Sequence, residues 1–242
     1  MLGITPAAWA GPQGSYGEMS DHGRWAAGLN APLKGAEYSG QAGVPLASPV
    51  PCTPPFEDMD SSAYYYEAVQ YLYCHGAVSG YGDRNFKPEE LVTRAQIMKI
   101  VVLALNLPFY EPGKPAFVDV PPENPFYEYI ESYAHYVGSC ATGCIAFHPY
   151  TYTTRGQLAK IIVLASCWPL YTPPTPTFSD VTSDNTFFEY VETAYKQGAI
   201  SGYADSTFRP YNNITRGQVS KIVYKAVLQG SACGTGPSSS KP

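Results

Sequence analysis

The chain writes nearly the same ten residues three times at one interval. "VTRAQIMKIV" begins at Val92, "TTRGQLAKII" at Thr153 and "ITRGQVSKIV" at Ile214, each 61 residues after the last. A second marker, F-x-D, keeps the same period at Phe56/Asp58, Phe117/Asp119 and Phe178/Asp180. Two markers sharing one period define three copies of a unit. A fixed period of this kind marks repeated copies of one structural unit.

Within each unit the order is constant: F-x-D, a short polar stretch, an aromatic-rich segment, a Gly/Asp turn, then the T-R-x-Q segment. In the third copy, Phe187, Tyr190, Val191, Ala194 and Tyr195 fall at i, i+3, i+4, i+7 and i+8, one apolar face of a helix. Gly198 is placed to end it as a left-handed C′ residue. The turn "GYADSTFRP" matches "GYGDRNFKP" of the first copy. A second helix follows, and in the first copy Ile97, Ile100, Val101, Ala104 and Leu105 give its stripe. T-R-x-Q reads as a capping box, with Thr93, Thr154 and Thr215 as caps and Gln96, Gln157 and Gln218 reaching back.

The cap does not explain the arginines Arg94, Arg155 and Arg216. A capping box is indifferent to its second residue, and a cation in a first helical turn is mildly unfavourable against the helix dipole. Two readings stand: contact with a ligand, or an ion pair across units to an F-x-D aspartate or to Glu67, Glu128 or Glu189.

Composition limits the function classes. Only 14% of residues are charged and the net charge is −5, which gives no electrostatic reason to expect nucleic acid or an anionic membrane. No apolar run reaches the length of a membrane span. Six cysteines (Cys52, Cys74, Cys140, Cys144, Cys167, Cys233) in a chain poor in charge and rich in Tyr and Pro point to an oxidising, extracellular setting with disulfides. Cys140, Cys144 and His148 match no common zinc spacing, so no metal and no cofactor are expected. In the second copy Cys144 replaces the turn aspartate found at Asp83 and Asp205, and a Cys140–Cys144 bridge would staple that turn. Cys52–Cys74 and Cys167–Cys233 are the remaining pairing expected. The start, "MLGITPAAWAGPQG", lacks the basic segment of a complete secretory signal.

No catalytic constellation stands out, and the chain is expected not to be an enzyme. His22, His75, His135 and His148 sit in no nucleophile–base motif, and His75 and His135, in the first helices, read as packing residues. Asn213-Ile214-Thr215 is a glycosylation sequon whose Thr is already needed as a cap.

The units resemble the S-layer homology (SLH) repeat. Its F-x-D-V start, aromatic first helix, G-Y-x-D-G-x-F-x-P turn and I-T-R-A-E second helix are matched almost letter by letter by "GAISGYADSTFRPYNNITRGQ", and the likeness runs over residues 56–229. The motif's Glu is Gln in all three copies, and its Ala is Gly in two. Tyr64, Pro125 and Thr186 stand where the family usually has Trp. The resemblance implies an all-α fold: three SLH-type helix–turn–helix repeats in a pseudo-threefold bundle, at residues 56–110, 117–171 and 178–229. It implies non-covalent attachment to cell-envelope polysaccharide, often one bearing acidic ketals. It also implies that Arg94, Arg155 and Arg216 contact acidic sugar in grooves between repeats, where a guanidinium fork suits a carboxylate.

Residues 1–55 differ from the rest. Nine Gly and eight Pro preclude a core of their own, yet Trp9, Tyr16, Trp25, Leu29, Leu33 and Tyr38 are apolar anchors. The segment is a Gly/Pro-rich irregular arm or stalk, and residues 230–242 form a C-terminal tail. Two functions follow: a cell-surface anchor on envelope polysaccharide, or a structural subunit that self-associates through residues 1–55 into a layer or filament.

Overall fold

The computed structural model describes residues 52–137 and 146–230. The expected arm up to residue 51, the tail from 231, Cys140, Cys144 and Cys233 lie outside them. The described residues hold six helices: α1 Tyr66–Cys74, α2 Arg94–Ala104, α3 Tyr127–Val137, α4 Arg155–Ala165, α5 Phe188–Lys196 and α6 Arg216–Leu228. This is the all-α class that the resemblance implied, with helices where the 3.6-residue periodicity placed them.

Each unit contributes a helix pair, and the starts of the second helices and the ends of α1 and α5 follow from sequence. In α2, α4 and α6, Thr93, Thr154 and Thr215 sit in extended backbone and accept from the N–H of Gln96, Gln157 and Gln218, while each Gln side chain accepts from the cap's own N–H. All three capping boxes are therefore formed. Gly76 and Gly198, at φ 72° and 73°, take the left-handed position just beyond α1 and α5.

The F-x-D marker has a structural role in every unit. Asp58 accepts from the N–H groups of Phe86 (2.7 Å) and Lys87 (2.6 Å). Asp119 does the same for Phe147 and His148, and Asp180 for Phe208 and Arg209, all at 2.7 Å. Lys87, His148 and Arg209 have φ near +60°, a conformation costing roughly 1–3 kcal/mol in a non-glycine residue. The two-pronged carboxylate contact holds it. The paired phenylalanines pack alongside, Phe117 edge-on to Phe147 with ring centroids 5.1 Å apart and the other two pairs tilted at 5.5 Å.

The units are joined head to tail. The second helix of each packs on the first helix of the next: α2 on α3, α4 on α5, α6 on α1. The three second helices also touch one another. Just before them, Thr153 N–H donates to Val92 O, Ile214 N–H to Thr153 O and Val92 N–H to Ile214 O, a closed ring of three hydrogen bonds. Isolated β-bridges pair Thr93 with Tyr152, Thr154 with Asn213 and Thr215 with Leu91. One core runs through all three units, including Val69, Leu72, Ile97, Met98, Ile130, Leu158, Ile162, Val191, Ile214 and Val223. Of the residues the sequence placed on an inner stripe, Tyr195 is 45% exposed, its ring edge on Phe178.

Candidate functional site

The three arginines open α2, α4 and α6, and the capping boxes fix where their side chains start. Each spans to the following unit. Arg94 Nε donates to Phe147 O at 2.9 Å, Arg155 Nε to Phe208 O at 2.8 Å and Arg216 Nε to Phe86 O at 2.8 Å. Arg155 and Arg216 add bonds from Nη2 to Ser201 O (3.3 Å) and Ser79 O (2.9 Å). Each guanidinium also lies over the phenylalanine whose carbonyl it engages, at 4.4–4.6 Å. The carboxylate pairing that the sequence allowed does not account for these contacts. The F-x-D aspartates are committed to backbone N–H groups, Glu67 accepts from Tyr224, and Glu189 from Thr172. The arginines reach carbonyls instead, because the left-handed turn at Lys87, His148 and Arg209 aims the preceding C=O at the neighbouring unit.

Nε and Nη2 of Arg155 and Arg216 supply these bonds, two of the five N–H donors that a guanidinium carries. Burial pushes the pKa of Arg94, Arg155 and Arg216 down from the usual value, yet all remain cationic.

A cavity of about 220 Å³ opens at Arg155. Its wall is made by Ser201, Gly202 and Tyr203 of the turn after α5, by Gln218, Lys221, Ile222 and Lys225 of α6, and by Tyr64 ahead of α1. All three units thus contribute. Arg155, Lys221 and Lys225 are cations, and no carboxylate lines the space. The nearby Asp205 is engaged by Thr207 and Arg209, which hold its pKa down at about 2. Tyr203 lies under both Arg155 (5.0 Å) and Arg209 (4.0 Å), and Lys221 Nζ sits 5.2 Å from the Tyr64 ring centre. Cations beside aromatic faces in a pocket of this size can hold a six-membered ring bearing an anionic group. Sequence reading found Arg155, noted Tyr64 only as standing where the family usually has Trp, and missed Lys221 and Lys225. The i, i+3, i+7 spacing of Gln218, Lys221 and Lys225 was the available signal.

Cys52 and Cys74 are disulfide-bonded, the pairing expected for them from the sequence. Cys167 is disulfide-bonded too. His75 and His135 are exposed, not packed inside. Their rings stack on Tyr71 and Tyr110 at 4.0 and 3.7 Å. Among the described residues no group of three or more His, Cys, Asp or Glu side chains is arranged to hold a metal ion.

The fold and the groove together define a helical module of packed helix pairs with three cations lining a groove between its units. Comparison with known proteins narrows the class. The S-layer homology domain family matches residues 55–98 and 177–220, which fall in the first and third units. An S-layer protein of Bacillus thuringiensis subsp. finitimus is 26% identical over 178 residues, covering 72% of this chain and 21% of that protein. The S-layer protein sap of Bacillus anthracis gives the same figures. The chain thus spans about a fifth of the length of these curated relatives. These matches support S-layer homology and a location at the cell surface, in the cell envelope. No helix of the described residues is long and apolar enough to cross a membrane.

Proposed function

We propose that this protein is a non-catalytic cell-surface protein held non-covalently on an acidic cell-envelope polysaccharide by three SLH-type repeats in a pseudo-threefold bundle. The repeats are residues 56–110, 117–171 and 178–229, and Arg94, Arg155 and Arg216 are the sugar-facing cations. The observation that carries this reading is the Arg155 groove. Three cations gather there without a carboxylate, in a protein whose net charge is −5. An acidic chain has no general reason to concentrate positive charge in one cavity, and an anionic ligand supplies one.

The test is co-sedimentation of the full chain with purified cell-wall polysaccharide. Loss of one charge-assisted contact costs roughly 1.5–3 kcal/mol, so Lys221→Gln is expected to weaken binding by about tenfold or more while circular dichroism is unchanged. Arg155→Ala weakens binding too, and its fold must be checked because the same side chain ties α4 to Phe208 O. Lys221→Gln binding as well as the parent chain sinks the proposal. A second reading, a structural subunit that self-associates through residues 1–55, is favoured by the relatives' description as S-layer proteins.

A further inference from the structure

The period of 61 lets the grooves be compared position by position, and they are not alike. Gln218, Lys221, Ile222 and Lys225 form the stripe of α6 that faces the Arg155 cavity. The matching stripes are Gln96, Lys99, Ile100 and Leu103 on α2, and Gln157, Lys160, Ile161 and Leu164 on α4. The first three positions repeat. The fourth is a cation only on α6. Lys221 and Lys225 stand about 6 Å apart along the helix axis, one turn from each other.

The opposite difference appears where Arg216 meets the first unit. Tyr81, under Arg216 at 5.0 Å, donates its hydroxyl to Glu90 Oε2 at 2.9 Å. Burial, with Glu90 adding to it, pushes the Tyr81 phenol up to about 12, so it stays a neutral donor to that carboxylate. A carboxylate beside Arg216 opposes a second anion. In the Arg155 groove the residue matching Glu90 is Asn212, which carries no charge. Tyr64 is the third difference. Its counterparts are Pro125 and Thr186; Lys221 rests on the Tyr64 ring, whereas Lys99 and Lys160 rest on Tyr129 and Tyr190 at 5.7 and 5.1 Å.

We infer that the Arg155 groove is specialised for a sugar segment carrying two anionic groups, one met by Arg155 and the other by the Lys221–Lys225 pair, with Lys225 setting this specificity. The inference rests on the acidic-glycan reading above and sharpens it. With no ligand the two ammonium groups repel each other across one turn. A singly charged sugar satisfies Arg155 and leaves that repulsion in place, whereas a second carboxylate removes it. Tyr64 positions Lys221 and presents an apolar face to the sugar ring.

Isothermal titration of the full chain tests this with two defined probes. One is the methyl glycoside of a hexosamine bearing a pyruvate ketal, with one carboxylate. The other is the disaccharide in which that sugar is joined to a hexuronate, with two. One strong site per chain is expected, with the disaccharide bound about tenfold or more tighter than the monosaccharide. Lys225→Leu reproduces the side chain found at Leu103 and Leu164 and is expected to abolish that preference, and Lys99→Leu to preserve it. Equal affinity for the two probes, three equal sites per chain, or loss of the preference in Lys99→Leu overturns the inference while the glycan reading stands. Absence of any binding to cell-wall polysaccharide by the parent chain overturns the glycan reading and this inference with it.

Discussion

At the scale of single residues, substitutions between the units are matched to their neighbours. The first-turn Ala95 of α2 becomes Gly156 in α4 and Gly217 in α6, a change that by helix propensity alone lowers stability by up to about 1 kcal/mol at each site. The structure gives the reason. A Cβ at Gly156 would lie 2.5 Å from the Phe187 ring, and one at Gly217 2.8 Å from the Tyr65 ring. Both rings are buried, so they have little room to retreat. Gly156→Ala is therefore expected to destabilise the fold by about 1–3 kcal/mol, because overpacking outweighs the propensity gain. Urea unfolding measures this, and a stabilised variant refutes it. A similar match occurs at Glu131 and Glu192, buried carboxylates that accept from the N–H of Ala116 and Thr177. The corresponding first-unit residue, Pro55, has no N–H. Gln70 stands in place of the Glu and donates to Cys52 O instead.

At the scale of elements, each unit must fasten its incoming chain to the end of its first helix, and it does so with different chemistry at one position. In the second unit His135 stacks on Tyr110, in the third Lys196 Nζ lies 3.8 Å over the Tyr171 ring, and in the first Cys74 is bonded to Cys52. Tyr110 and Tyr171 are also held by main-chain bonds to Ser132 Oγ and Thr193 Oγ1. The disulfide closes a loop with a sequence separation of 22, which chain-entropy reasoning values at about 3 kcal/mol. The double substitution Cys52→Ser with Cys74→Ser is expected to lower the unfolding free energy by up to that amount, while far-ultraviolet dichroism stays helical. A chain as stable as the parent in guanidinium shows that the covalent bond adds nothing to the contacts around it.

At the scale of the whole molecule, closure is the governing fact. No unit is complete alone: α2 packs on α3, α4 on α5 and α6 on α1, and the ring through Val92, Thr153 and Ile214 needs all three. Arg216 joins the last unit to the first across 130 residues. A chain so tied is expected to unfold in one cooperative transition, with tryptophan fluorescence and helical dichroism giving coincident curves. Separate transitions for the units contradict this account of how they are coupled.

Much of this was legible in the sequence, because period and capping are local properties. The 61-residue repeat, the T-x-x-Q boxes and the terminal glycines specify helix pairs from residues a few positions apart. The arginines were conspicuous for the same reason, as cations at a disfavoured helical position. Their partners were not legible. The carbonyls of Phe86, Phe147 and Phe208 leave no mark in the side-chain sequence, and they are presented only once an aspartate 28 residues upstream has fixed the left-handed turn beside them. The groove is less local still. Arg155, Tyr203, Lys225 and Tyr64 come from three units and meet only because the chain closes on itself. Sequence alone determined the helix pairs and the capped starts of α2, α4 and α6. The tertiary structure alone decided which cations share one cavity, since that depends on distances between segments rather than on the order of residues within them.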